Sequence, residues 1–123
     1  MTSIPKESDV VIIGGGIIGV STAYYLAKSG VSVTLVEKGI IAGEQSSRNW
    51  GFVRQQGRDP AEIPTIMRSL ALWKGLSKEL GEDIGFKQAG VFYLANTEEQ
   101  VAGYEDWLKH AKEYQIDSHI VPK

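Results

Sequence analysis

The sequence predicts an α/β fold that opens on a βαβ unit, and three observations carry the prediction. A run of four β-branched residues, Val10-Val11-Ile12-Ile13, is followed at once by Gly14-Gly15-Gly16-Ile17-Ile18-Gly19. A stretch with apolar residues at helical spacing comes next, and then a second apolar run over residues 31–36 that ends at Glu37. Strand, glycine turn, helix, strand and acid in that order make the unit Rossmann-type.

Taken in order, residues 10–13 are apolar without interruption, as expected for a parallel strand buried on both faces. The helix is expected over residues 16–29, with Ile17, Val20, Ala23, Tyr24 and Ala27 one turn apart and Gly30 placed to stop it. Residues 31–36 return as the second strand through a crossover of right-handed type. From Lys38 to Pro60 no periodicity survives, and Gly, Ser, Arg, Asn and Gln dominate. A connection so long and irregular tends to be functional. After it, Ile63, Ile66, Met67, Leu70, Trp73, Leu76 and Leu80 recur every three or four positions and predict an amphipathic helix ending near Gly81, with Met67 and Trp73 as core fillers. Residues 90–95 read as a strand. Asn96-Thr97-Glu98-Glu99 then opens a further helix, with a capping candidate, acids in its first turn, and Val101, Tyr104, Leu108 and Ala111 as its buried face. The expected division is a βαβ unit with its polar loop over residues 1–60 and a second part over residues 61–123.

The glycine turn has a definite chemistry. Gly14 permits a tight turn, Gly16 lets the backbone approach a pyrophosphate, and Gly19 lets the helix lie close on the strand, so Gly15, Ile17 and Ile18 share the same phosphate-facing backbone. Glu37 follows at about the separation of 20 residues expected of an acid that accepts hydrogen bonds from an adenosine ribose. An acid there disfavours a ribose 2′-phosphate, which leaves FAD or NAD as the dinucleotide.

Composition excludes other classes. The net charge is −2, from 13 basic and 15 acidic residues, and they are interspersed, so the chain carries no electrostatic footprint for nucleic acid. Zero cysteines exclude a disulfide framework, a thiolate metal site and a cysteine nucleophile. His110 and His119 lack a partner at ligand spacing, so no metal site is expected. The first apolar run is cut by glycines well short of the roughly 20 residues of a membrane span, and residues 1–7 lack the basic start of an export signal. A cytoplasmic location is the expectation.

Read together, residues 9–37 and Gly43-Glu44-Gln45-Ser46-Ser47-Arg48-Asn49-Trp50-Gly51 resemble the amino-terminal part of the FAD-dependent amine and amino-acid oxidoreductases. That superfamily holds glycine oxidase, sarcosine oxidase and the D-amino-acid dehydrogenases. The second segment is similar to the stretch that lines the flavin there, and Trp50 departs from the small residue more usual at its position. The resemblance implies FAD as cofactor, a small amino acid or amine as substrate, and hydride transfer from the carbon bearing the amine. It implies that Ser46, Ser47, Arg48, Asn49 and Gly51 contact the flavin, its ribityl chain or its phosphates, with Arg48 able to stabilise a reduced flavin and Lys38 flanking the adenosine. The helix from Ala61 and the segment from Gly90 onward look like the entry into an α+β substrate domain. Such relatives are longer, so the chain is expected to be an incomplete amino-terminal portion, inactive alone, whose catalytic residues lie elsewhere and which further subunits could complete. Two readings stand beside this one. One is a nicotinamide-linked dehydrogenase module with residues 91–94 as a third strand, against which the polar stretch 38–60 weighs. The other is a dinucleotide-binding piece without catalysis.

Overall fold

β-branched side chains favour the pleated backbone, and a helix between two such runs supplies the long crossover that parallel pairing needs. The computed structural model, which describes residues 5–121, shows this arrangement. Strand β1, Val10–Ile13, pairs in parallel with β2, Val33–Val36, with Val10 opposite Val33 and Ile13 opposite Val36. Helix α1, Ile17–Lys28, makes the crossover. The ladder is extended at both ends: Val10 N donates to Ser32 O at 3.1 Å, and Gly14 N donates to Val36 O at 2.8 Å. Ser32 N donates to Asp9 Oδ2 at 2.9 Å.

Helix α1 stops where Gly30 enters the left-handed region at φ 84°. The amides of Gly30 and Val31 close back on Ala27 O and Leu26 O, at 2.9 and 3.1 Å. That closure consumes Val31, so the second strand starts at Val33 rather than at 31.

Burial of the sheet on both faces is not observed. Val10, Ile12, Val33 and Leu35 are half-buried, but Ile13 is 88% exposed, and Val11 and Val36 are exposed as well. Ile12 points toward α1, since its Cγ2 would lie 3.4 Å from a Cβ built on Gly19. Alternation along a strand therefore turns Ile13 to the opposite face. A single helix covers one face of a two-stranded sheet, and in this unit no second layer covers the other. For the same reason the apolar stripe expected of α1 is incompletely covered, with Ile17 and Val20 exposed.

The chain divides into two units, the first ending at Phe52 and the second starting at Val53. In the second, Asp59 Oδ1 accepts from Ala61 N at 2.8 Å and caps the short 3₁₀ turn Pro60–Glu62, which runs into α2, Ile63–Leu80. Pro64 sits in the first turn of α2, where a missing N–H costs no helical bond. Gly81 ends the helix at φ 72°. Trp73 stacks on Phe86 with ring centroids 5.9 Å apart, so Trp73 is packed as a core residue is. Helix α3, Glu98–Glu113, is opened by a reciprocal pair: Gln100 N donates to Thr97 Oγ1 at 3.2 Å, and Gln100 Oε1 accepts from Asn96 N at 2.7 Å. Ile63 and Ala111, each 1% exposed, are the fully buried apolar residues among those described.

The strand expected over residues 90–95 is not formed. The alternation is present, with Val91, Tyr93 and Ala95 half-buried and Phe92 and Leu94 each 81% exposed, but among the described residues no neighbouring strand pairs with it. A strand exists through its partner's hydrogen bonds, and the half-buried Tyr93 side chain packs without one. Tyr93 Oη donates to Gln56 O at 3.3 Å, and its ring lies under the Arg54 guanidinium at 5.7 Å. Trp107 Nε1 donates to Arg58 O at 2.9 Å, and Arg54 Nη1 donates to Gln56 O. The polar segment 54–58 is thereby held by side chains from far along the sequence. No helix among the described residues is long and apolar enough to cross a membrane.

Candidate dinucleotide site

The turn that leaves β1 requires a residue without a side chain. Gly14 has φ 108°, a conformation that L-residues rarely adopt. Gly19, in the first turn of α1, faces this turn so closely that a Cβ built on it would lie 1.9 Å from Gly14 O. The third glycine of the motif therefore lets helix and turn touch. A Cβ at Gly16 would lie 3.1 Å from Ser46 Oγ, so a side chain there would crowd the serine hydroxyl.

Two side chains from separate segments converge on this turn. Glu37, just past β2, accepts from Gly15 N through Oε2 at 2.7 Å and from Gly39 N through Oε1 at 2.8 Å. The Gly15 amide is the main cause, and the Gly39 amide the next, of a carboxyl held below its ordinary range, with the neighbouring Lys38 charge adding to the effect. Ser46, in the short 3₁₀ turn Gln45–Ser47, accepts from Ile17 N at 2.8 Å. Gly16 has no side chain with which to cap α1, and the Ser46 hydroxyl supplies the cap from outside the helix.

The rest of the polar loop is braced mainly against itself. Ser47 Oγ donates to Glu44 O at 3.1 Å, and Arg48 pairs with Glu44 at 3.3 Å on the surface. Asn49 Nδ2 donates to Ser46 O at 2.7 Å, while its Oδ1 accepts from Gly51 N at 2.6 Å, with Gly51 at φ 69°. Gly14 to Gly19, Glu37 and Ser46 are thus brought together. The side chains of Ser47, Arg48 and Asn49 engage their own loop, and Lys38 is exposed. Two contributors were not singled out from the sequence, the Gly39 amide and Ala42. Ala42 N donates to Gly15 O at 2.9 Å, and Ala42 adopts φ 59°, which nothing in an alanine's sequence context signals. His119 lies 3.9 Å from Asp117, and among the described residues no three His, Asp or Glu gather where they could hold a metal ion.

What the arrangement can do follows from its polarity. The first amides of a helix have no intrahelical partners and carry the positive end of its dipole, and here they meet a bare glycine backbone at the carboxyl ends of parallel strands. Open α/β sheets bind ligands at that edge. Fold and turn together are those of a Rossmann-type βαβ unit.

Comparison with known proteins narrows the class. Residues 9–123 match the profile of the FAD dependent oxidoreductase family, and the chain belongs to that family. It is 45% identical over 96 residues to the sarcosine oxidase subunit beta of Arthrobacter sp, covering 76% of this chain and 24% of the relative. It is 41% identical over 104 residues to the glycine oxidase of Bacillus subtilis (strain 168), covering 78% of this chain and 28% of that enzyme. Among solved structures, the L-amino acid deaminase of Proteus myxofaciens, in complex with anthranilate, superposes with a TM-score of 0.87 at 38% identity, over 99% of this chain and 27% of that one. The chain spans about a quarter of the length of these relatives.

Proposed function

We propose that this chain is the FAD-binding amino-terminal part of an oxidoreductase that oxidises the C–N bond of a small amino acid or related amine. The observation that carries the reading is the convergence of Glu37 and Ser46, from two separate segments, on Gly15 N and Ile17 N of one glycine turn. The amides of the first turn of α1 beyond Ile17 N, which Ser46 already holds, bind the pyrophosphate beside the bare backbone of Gly16. Each Glu37 oxygen keeps a second lone pair, and these accept the ribose hydroxyls while the turn stays tied. Lys38 flanks the adenosine. Ser46, Ser47, Arg48, Asn49 and Gly51 line the remainder of the cofactor, on a loop that Asn49 braces through Ser46 O and Gly51 N. FAD, when bound, supplies the two-electron acceptor that takes hydride from the carbon bearing the amine.

Substrate class follows the relatives, whose names specify sarcosine and glycine among curated proteins and L-amino acids among solved structures. A small or N-methylated amino acid is the reading, with a D-amino acid as an alternative within it. The name "subunit beta" on a relative supports assembly with other subunits, and a cytoplasmic location completes the proposal.

The test uses the full-length protein. Purified without added nucleotide it is expected to be yellow with an oxidised-flavin spectrum, and anaerobic mixing with sarcosine, glycine or another small amino acid is expected to bleach it. Keto acid or aldehyde then accumulates. A protein that stays colourless after FAD reconstitution, or that is bleached by NADH and by no amine in a broad panel, overturns the reading.

A further inference from the structure

Gly15 is buried, and no other described residue of the first unit is. The best-covered point of this open βαβ unit is therefore a glycine of the turn and not a side chain of the sheet. What covers it is the segment just after β2. A Cβ built on Gly15 would lie 2.4 Å from Ile41 Cδ1 and 3.2 Å from Glu37 Cβ. The same segment takes both polar groups of Gly15: its N–H donates to Glu37 Oε2 at 2.7 Å, and its carbonyl accepts from Ala42 N at 2.9 Å.

Ala42 is the third residue of a tight turn over residues 40–43, closed by Gly43 N donating to Ile40 O at 2.9 Å, and its φ is 59°. A left-handed residue at that place in a turn is ordinarily glycine or asparagine, and an alanine there carries a cost that glycine does not. Such a conformation persists where the surroundings hold it, and it recurs at ligand clamps. The turn's closing bond uses Ile40 O and Gly43 N, so the Ala42 amide is left to reach Gly15. A trans peptide carries its C=O and N–H on opposite sides. With the Gly15 carbonyl turned to Ala42, the Gly16 N–H is turned away from it, and among the described residues no group accepts from that N–H.

We propose that Ala42 is a positioning residue for the diphosphate of the cofactor, an inference that rests on the FAD-binding role proposed above. Its left-handed backbone keeps the Ala42 amide on Gly15 O, and that hydrogen bond sets the Gly15–Gly16 peptide so that the Gly16 N–H joins the first amides of α1 on the phosphate side of the turn. What matters at residue 42 is then backbone conformation and not side-chain bulk. Valine is β-branched and a genuine outlier in the left-handed region. Asparagine, of nearly the same size, is one of the few non-glycine residues that visit it routinely. Both keep the N–H.

The experiment titrates full-length apoprotein with FAD by calorimetry for wild type, Ala42→Val and Ala42→Asn, and records the phosphorus NMR spectrum of each protein saturated with FAD. Ala42→Val is expected to weaken FAD by roughly 5- to 10-fold and to move the resonances of the bound diphosphate. Ala42→Asn is expected to stay within about twofold of wild type with its resonances in place. Equal loss of affinity in both variants overturns the proposal, because bulk and not backbone conformation would then be at fault. Weaker binding in Ala42→Val with unmoved phosphorus resonances also overturns it, since a loosened fold would lower affinity without reorienting a phosphate donor. Wild-type affinity and resonances in Ala42→Val overturn the role of Ala42 and leave the FAD-binding role standing. A wild-type protein that binds no FAD overturns both.

Discussion

Replacing Gly19 by alanine sets two effects of opposite sign against each other, and the structure decides between them. Inside a helix, glycine to alanine gains about 1 kcal/mol from the reduced entropy of the unfolded chain. At Gly19 the new Cβ would stand 1.9 Å from Gly14 O and 3.1 Å from Gly14 C, and real Cβ contacts essentially never fall under 3.0 Å. The obstacle is backbone, tied through Gly14 N to Val36 O, so no rotamer change relieves it. Either α1 lifts from the end of β1 or the turn opens. Overpacking of this kind costs up to about 3 kcal/mol, which leaves a net loss near 2 kcal/mol after the helical gain. FAD affinity is expected to fall as well, because the amides that face the diphosphate move with α1. The control is built into the same protein: a Cβ at Gly75 in α2 or Gly103 in α3 meets nothing within 4 Å. Alanine at either is expected to stabilise by about 0.5–1 kcal/mol. Denaturant unfolding of the three variants of the full-length protein, with FAD titration of each, measures the contrast. If Gly19→Ala proves as stabilising as Gly103→Ala and keeps wild-type FAD affinity, the close approach of α1 to the turn is wrong.

Two further outcomes follow from individual hydrogen bonds. Glu37 has its carboxyl pKa lowered in the folded chain, chiefly by the Gly15 amide, so its contribution to stability is fully present above the ordinary value of 4.5 and is lost as pH falls through the lowered folded value. Glu37→Gln is expected to remove that acid-dependent part, so its stability curve should approach that of wild type on acidification; curves that stay parallel through the acidic range would show that the carboxylate does not hold the turn. Trp107→Phe keeps the ring and deletes the donor to Arg58 O, which is expected to cost about 1 kcal/mol and to speed tryptic cleavage after Arg54 and Arg58. Unchanged stability and cleavage would mean that segment 54–58 is held by other contacts.

What the sequence determined by itself is the local grammar of the chain. β-branched runs, the glycine turn, Gly30 and Gly81 as helix stops, and Thr97 as a cap each act within a few residues, so their type and spacing are readable in one dimension. The pairing of β1 with β2 and the position of Glu37 followed from the same short-range order, as did the proximity of Glu37 to the turn. Ser46 stood out only through a family resemblance, since nothing in a serine's neighbourhood says that its hydroxyl will cap a helix 29 residues earlier. Tertiary structure alone decided the rest. Ala42 takes a left-handed backbone while its amide donates to Gly15 O. Residues 90–95 keep a strand's alternation yet form no strand, because strand pairing is a property of two segments and no partner segment lies beside them among the described residues. Segment 54–58 has no periodicity, and its order comes from Tyr93 and Trp107, whose contacts across 37 and 49 residues leave no trace in the sequence between them. The exposed face of the sheet has the same origin: hydrophobicity tells a strand to be covered, but only the packed chain shows by what.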